Sequence, residues 1–133
     1  MKRPVAVFYH EDCLLHETGA HHPECPERVR TTREKLLGAP FAGSLHWQEP
    51  EPAAARWIEK IHSPEYRQYV EEACLKGKSH LDFGETTISP DSYRAALLAA
   101  GGALAAVGAV FREGYSSAFS LMRPPGHHAG SEK

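Results

Sequence analysis

Apolar positions along this chain fall into short continuous runs and longer helical periods, and the first element is a run. Val5-Ala6-Val7-Phe8-Tyr9 is unbroken and partly β-branched, which predicts a strand covered on both faces. From His10 to Pro26 no period survives, and the four His and two Pro there offer little apolar surface to bury. Loops of that length inside a compact domain are usually functional. Pro26-Glu27 opens a helix running through Leu36-Leu37, with proline near its first turn and Gly38 just past its end. Leu45 to Gln48 reads as a second short strand. After Pro50 and Pro52, Ala53 to Ile61 reads as a short helix, and Ser63-Pro64-Glu65 starts another with Ser as N-cap and Pro at the first helical position. That helix runs to Lys76, where Gly77 stops it.

A polar loop, Gly77 to Thr87, leads to Ser89-Pro90-Asp91, which starts a long Ala-rich helix by the same signal. Leu97, Leu104 and Phe111 lie seven apart in it, with Gly101 and Gly108 on the same stripe, a face suited to packing against a sheet. Gly114 ends it, and Ser117 to Met122 reads as another buried strand. Strand, long helical connection, strand is the order of a parallel α/β sheet. In such sheets the ligand crevice lies beyond the carboxyl ends of the strands. The loop after the first strand and the segment Arg123 to Gly130 both emerge there. Two or three strands, however, fall short of the core that this pattern anticipates.

Composition narrows the reading. The chain has 133 residues, 41% hydrophobic and 24% charged, with 15 Lys and Arg against 17 Asp and Glu, a net charge of −2. That is room for one domain and no second. Near-neutral charge leaves no electrostatic footprint for nucleic acid or an anionic membrane surface. Ala95 to Phe111 is seventeen residues without a charge, short of the ~20 that a bilayer requires, and reads as a buried helix. Cys13, Cys25 and Cys74 are an odd number without a C-x-x-C pair, which suits a reducing compartment. The apolar stretch after Met1-Lys2-Arg3 is too short for a signal-peptide core, so a cytoplasmic location is expected. Cys74 reads as a small buried hydrophobe. The unusual count is His, at nine.

Two of the nine, His127-His128, follow a Pro-Pro-Gly turn whose prolines fix backbone angles and whose glycine allows what other residues resist. Imidazoles titrate near neutral pH, so adjacent rings in a cleft can divide the work, one taking a proton from water and one holding charge. A solvated loop dipeptide is the alternative.

The flanking residues favour the chemistry. Arg123-Pro124-Pro125-Gly126-His127-His128-Ala129 resembles the signature of the histone deacetylase and acetylpolyamine amidohydrolase family, in its bacterial and class II branch. Upstream, Tyr9-His10-Glu11-Asp12-Cys13-Leu14-Leu15-His16 followed by His22-Pro23-Glu24-Cys25-Pro26-Glu27-Arg28 is similar to the family's first loop. Thr86-Thr87-Ile88-Ser89, Ala95-Ala96 and Ala100-Gly101-Gly102 resemble its long helix. Practically the whole chain is covered, in the family's order.

The resemblance implies an arginase/deacetylase-like α/β fold, of which residues 1–133 form the N-terminal part. It implies a zinc-dependent hydrolase that removes acetyl or other acyl groups from acetyl-lysine, an acetylpolyamine or a related amine. By position in the motifs, His128 resembles the general base and later acid, His127 its electrostatic partner, and Arg28 the arginine lining the cavity behind the metal, placed to accept acetate. Arg28 also reads as an exposed charge on a first helical turn. The family's zinc ligands, two Asp and a His, and its transition-state Tyr belong to motifs beyond Lys133. The expectation is that the intact protein uses Zn2+ and that this polypeptide alone binds none and is inactive. At Gly84-Glu85-Thr86 relatives commonly place Asp before Thr; Glu85 is a candidate substrate-facing carboxylate or a solvated loop charge.

Two readings of other classes stand beside the enzyme. Cys13-x-x-His16 and His22-x-x-Cys25 have the spacings of a structural zinc knuckle, which would make the chain a small metal-stabilised binding module. Against it, only five residues separate the halves, and the family's first loop accounts for the same side chains. Alternatively, an unfilled sheet and the apolar face of the helix from Asp91 to Arg112 would leave a fragment prone to self-association or partner binding.

Overall fold

A computed structural model describes residues 3–83 and 86–133. Its centre is β1 (Val5–Phe8), flanked by β2 (Leu45–Gln48) and β3 (Ser117–Ser120) in the order β2-β1-β3. Both pairings are parallel, with Val5 opposite Leu45 on one side and Ser117 on the other. The Tyr9 N–H donates to Gln48 O at 3.0 Å and the Leu121 N–H to Phe8 O at 2.8 Å, carrying the ladders one bond past the strands. β1 is unbroken because it is covered on both faces. Val7 packs with Cys13, Val29 and Leu121, whereas Ala6 and Phe8 meet Ala109 and, less buried, Ala105, Ala106 and Ala118.

The helices are α1 (Pro26–Leu37), α2 (Ala55–Ile58), α3 (Pro64–Leu75) and α4 (Ser92–Arg112). Proline opens α1 and α3 as predicted, and Ser63 caps α3 by accepting the Tyr66 N–H at 3.1 Å. Cys74 is buried beside Ala73 and Ile88. A 3₁₀ turn, Glu11–Leu15, interrupts the long first loop.

Four expectations are corrected. The helix expected over Ala53 to Ile61 is a single turn, because the Ala53 N–H donates to Leu97 O at 2.9 Å and ties that backbone to α4. Helix α4 begins at Ser92 with Asp91 as N-cap. Ser89 instead donates its hydroxyl to Leu15 O at 3.3 Å and accepts the Glu17 N–H at 3.0 Å, holding the first loop. Small residues, not the large stripe, face the sheet: a Cβ on Gly102 would stand 2.5 Å from Ser120 Oγ, while Phe111 is 83% exposed. By length and composition α4 is a helix that could cross a membrane; here Ala95, Leu98, Gly101 and Ala109 are buried against the rest of the chain. β3, expected to be buried, lies at the sheet edge with Phe119 half exposed.

Candidate active site

Both candidate loops leave the carboxyl ends of the strands, and a fully buried arginine joins them. Arg123 lies just past β3. Its Nε and Nη2 donate to the two oxygens of Glu24 at 3.0 and 2.8 Å. Its Nη1 donates to the carbonyl of Cys13 at 3.1 Å and to that of His16. A planar fork satisfying a carboxylate and two carbonyls is what a guanidinium does and an ammonium cannot. Burial pushes the Glu24 carboxyl up, but the hydrogen bonds and charge of Arg123, with Arg28 and His16 beside it, outweigh this and hold it below the usual range.

His16 is buried in the same loop. Its Nδ1 lies 2.6 Å from Ser92 Oγ, which also accepts the Ser89 N–H at 2.7 Å. Its Nε2 lies 3.8 Å from Glu24 Oε2. Burial, then the charge of Arg123, pushes its pKa from 6.5 down to about 4. The ring is therefore neutral at pH 7 and serves as a hydrogen-bonded spacer between loop and α4.

His127 and His128 stand exposed on the turn that follows Arg123, with ring centroids 4.2 Å apart. Among the described residues neither ring has a hydrogen-bond or ion-pair partner. They border a cavity of about 430 Å³ with His16, His22, Glu24, His62 and Tyr66. Arg28 is not among the residues lining it; its side chain is 52% exposed and its Nη2 donates to Glu24 at 3.3 Å. Glu85 lies outside the described residues.

Three of the four residues of the zinc-knuckle reading, Cys13, His16 and His22, are buried or engaged elsewhere. Cys13 is fully buried, and burial pushes its thiol up in spite of Arg123. His16 Nδ1 is engaged with Ser92, and His22 Nδ1 accepts the Glu24 N–H at 3.0 Å. The guanidinium beneath this loop also opposes a second cation. Among the described residues no group of three or more His, Cys, Asp or Glu side chains is gathered as a metal ion needs.

The sequence alone marks neither Arg123 as a structural hub with Glu24 as its partner, nor Ser92 as the partner of His16, nor His62 as that of Gly130. Arg123 and Glu24 stand inside quoted motifs, but nothing local marks a charge for burial.

The family model for the histone deacetylase domain matches residues 22–133. The chain belongs to the histone deacetylase family. Among relatives, an uncharacterized protein of Synechocystis (slr0245) is 40% identical over 128 residues, covering 94% of this chain and 41% of its own. A probable deacetylase of Archaeoglobus fulgidus is 37% identical over 125 residues, covering 92% and 34%. The crystal structure of the HDA15 HD domain superposes with a TM-score of 0.87 at 31% identity, over 98% of this chain and 38% of that one. The parallel sheet with its helices is thus part of the arginase/deacetylase fold. The chain spans about two fifths or less of the length of these relatives. Zinc dependence is general in the family, but the donors among the described residues do not fit a zinc site.

Proposed function

We propose that residues 1–133 supply the acid–base half of an amide hydrolase acting on an acetylated amine, either acetyl-lysine, an acetylpolyamine or a related small amine. The observation that carries this is the His127–His128 pair, 4.2 Å between centroids, on the rim of the cavity at the carboxyl edge of a parallel sheet. In the reaction a water oxygen bonds to the acyl carbon and the C–N bond breaks. His128 takes the water's proton and returns it to the departing nitrogen, so that acetate and free amine result. His127, in ring contact with His128, sets the charge around it. Arg28 accepts the product carboxylate if it exchanges Glu24 for it. Zn2+ belongs to the longer protein, with donors outside the described residues, and the 133-residue polypeptide by itself does not turn over. The three free thiols accord with a reducing, cytoplasmic location.

The test compares the protein encoded by the whole reading frame with its His127→Ala and His128→Ala variants on a fluorogenic acetyl-lysine peptide and on acetylspermidine. Loss of a general base predicts a fall of about 100-fold or more for His128→Ala. Unchanged turnover in that variant, or full turnover by the 133-residue polypeptide, would refute the assignment. A second reading, association through the groove of about 870 Å³ between α4 and residues 49–57, is favoured by the exposure of Val107 and Phe111. It predicts a dimer in sedimentation that Phe111→Glu disperses.

A further inference from the structure

The His127–His128 turn is held before its start by Arg123, and a second attachment grips it after its end. His62, between α2 and α3, has its Nδ1 2.6 Å from Gly130 O. A carbonyl only accepts, so Nδ1 carries the proton and the other nitrogen, Nε2, is left without one in the neutral ring. The next residue repeats the grip: the Ser63 N–H donates to Ser131 O at 2.8 Å. The His62 ring lies 5.4 Å from that of Tyr66, and both side chains line the same cavity as His127 and His128. Inside the turn, the Ala129 N–H donates to Gly126 O at 3.0 Å. Those few bonds fix where two otherwise exposed imidazoles stand.

We infer that His62 is a positioning residue: by donating to Gly130 O it locks the turn that presents His127 and His128 to the cavity. Its catalytic consequence rests on the function proposed above, whereas its structural consequence does not. Two rings with no hydrogen-bond partner among the described residues can adopt a productive geometry only if their backbone is held, since small misplacements of catalytic groups are costly. Ser63 already has a separate duty as the cap of α3, so His62 is the side chain in this attachment that can be changed without removing the cap.

The experiment uses two variants of the 133-residue chain. His62→Phe keeps a ring against Tyr66 and removes the donor, and His62→Asn restores a donor close to where Nδ1 stood. Amide hydrogen exchange at Ala129 and Ser63 should accelerate about fivefold in His62→Phe, the equivalent of one net hydrogen bond, and return towards wild type in His62→Asn. Amides inside α4 serve as the control for folding and should not change. Wild-type exchange at Ala129 and Ser63 in His62→Phe would overturn the inference. In the protein from the whole reading frame, His62→Phe should lower kcat at constant KM, with rescue by His62→Asn. A change in KM alone, or no rescue, would overturn the catalytic consequence. Should wild-type protein show no deacylation, the proposed function fails, and the exchange data alone decide whether His62 positions the turn.

Discussion

Arg123 offers the most demanding test of how this site is built. Replacing it by Met keeps much of its volume and removes the whole fork. Glu24 then loses two charge-assisted bonds of 3.0 and 2.8 Å, and the carbonyls of Cys13 and His16 lose their donor. Removing one member of a buried ion pair costs about 3–5 kcal/mol, because the other is left uncompensated. Glu24 retains 18% side-chain exposure and a contact from Arg28 at 3.3 Å, which places Arg123→Met near the lower end, about 3 kcal/mol. Glu24→Gln keeps an accepting oxygen but leaves a guanidinium with no exposure at all without its counter-charge, and belongs near the upper end, about 5 kcal/mol. Since the two residues act through one contact, the double variant should fall short of the sum by about 2–3 kcal/mol. Urea unfolding followed by Trp fluorescence measures all four corners. If the singles threaten a total stability of about 5–15 kcal/mol, an osmolyte common to all four samples keeps them folded. A cost below about 1 kcal/mol for Arg123→Met, or simple additivity of the singles, would show that the fork is not what joins the two loops.

Other outcomes follow from the same geometry. His16 has a pKa of about 4 when folded against 6.5 ordinarily; the folded chain binds that proton less readily, so stability is whole above pH 6.5 and falls by about 3 kcal/mol towards pH 4. His16→Asn should flatten that part of the urea-midpoint profile, and an unchanged slope would assign it elsewhere. The Glu24 carboxyl is held low, so its contribution persists above the ordinary carboxylate range and is lost only at lower pH, a separate window that Glu24→Gln removes. Gly101→Ala would bring a Cβ within 1.9 Å of the Glu51 carbonyl oxygen, whereas at Gly108 it meets the movable end of Arg112 at 2.7 Å. Thermal melts should therefore show Gly101→Ala clearly destabilised and Gly108→Ala unchanged or raised by up to about 1 kcal/mol.

What could be read along the chain was whatever is decided locally. β1 announced itself because Ala6, Val7 and Phe8 are buried on alternating faces, and α1 and α3 because Pro26, Ser63 and Pro64 act within one turn. The face of α4 is not legible in this way, since a period of seven through Leu97, Leu104 and Phe111 competes with a second stripe made of Gly102, Ala105, Ala106 and Ala109. Residues that small carry almost no hydropathic signal, yet they are what lets helix and sheet approach closely. Ser89 followed the same logic in reverse: its local pattern matches a cap, but Leu15 and Glu17, more than seventy residues away in sequence, claim its hydroxyl.

The candidate site divides along the same line. His127 and His128 were legible because their chemistry is written in adjacent letters, whereas the side chains that hold their turn depend on partners brought in by the fold. Arg123 meets Glu24 across 99 positions and His62 meets Gly130 across 68. An arginine followed by two prolines has no local reason to be buried, and the usual expectation for its type is exposure. The Arg123-to-His128 stretch thus carries two functions on one short segment: its first residue ties the 10–25 loop to the strand end, and its last two present the imidazoles. Separating them is a matter of readout. Loss of Arg123 should unfold the chain more easily, while loss of His128 should leave the unfolding midpoint where it was, because an exposed ring without hydrogen bonds contributes little to stability.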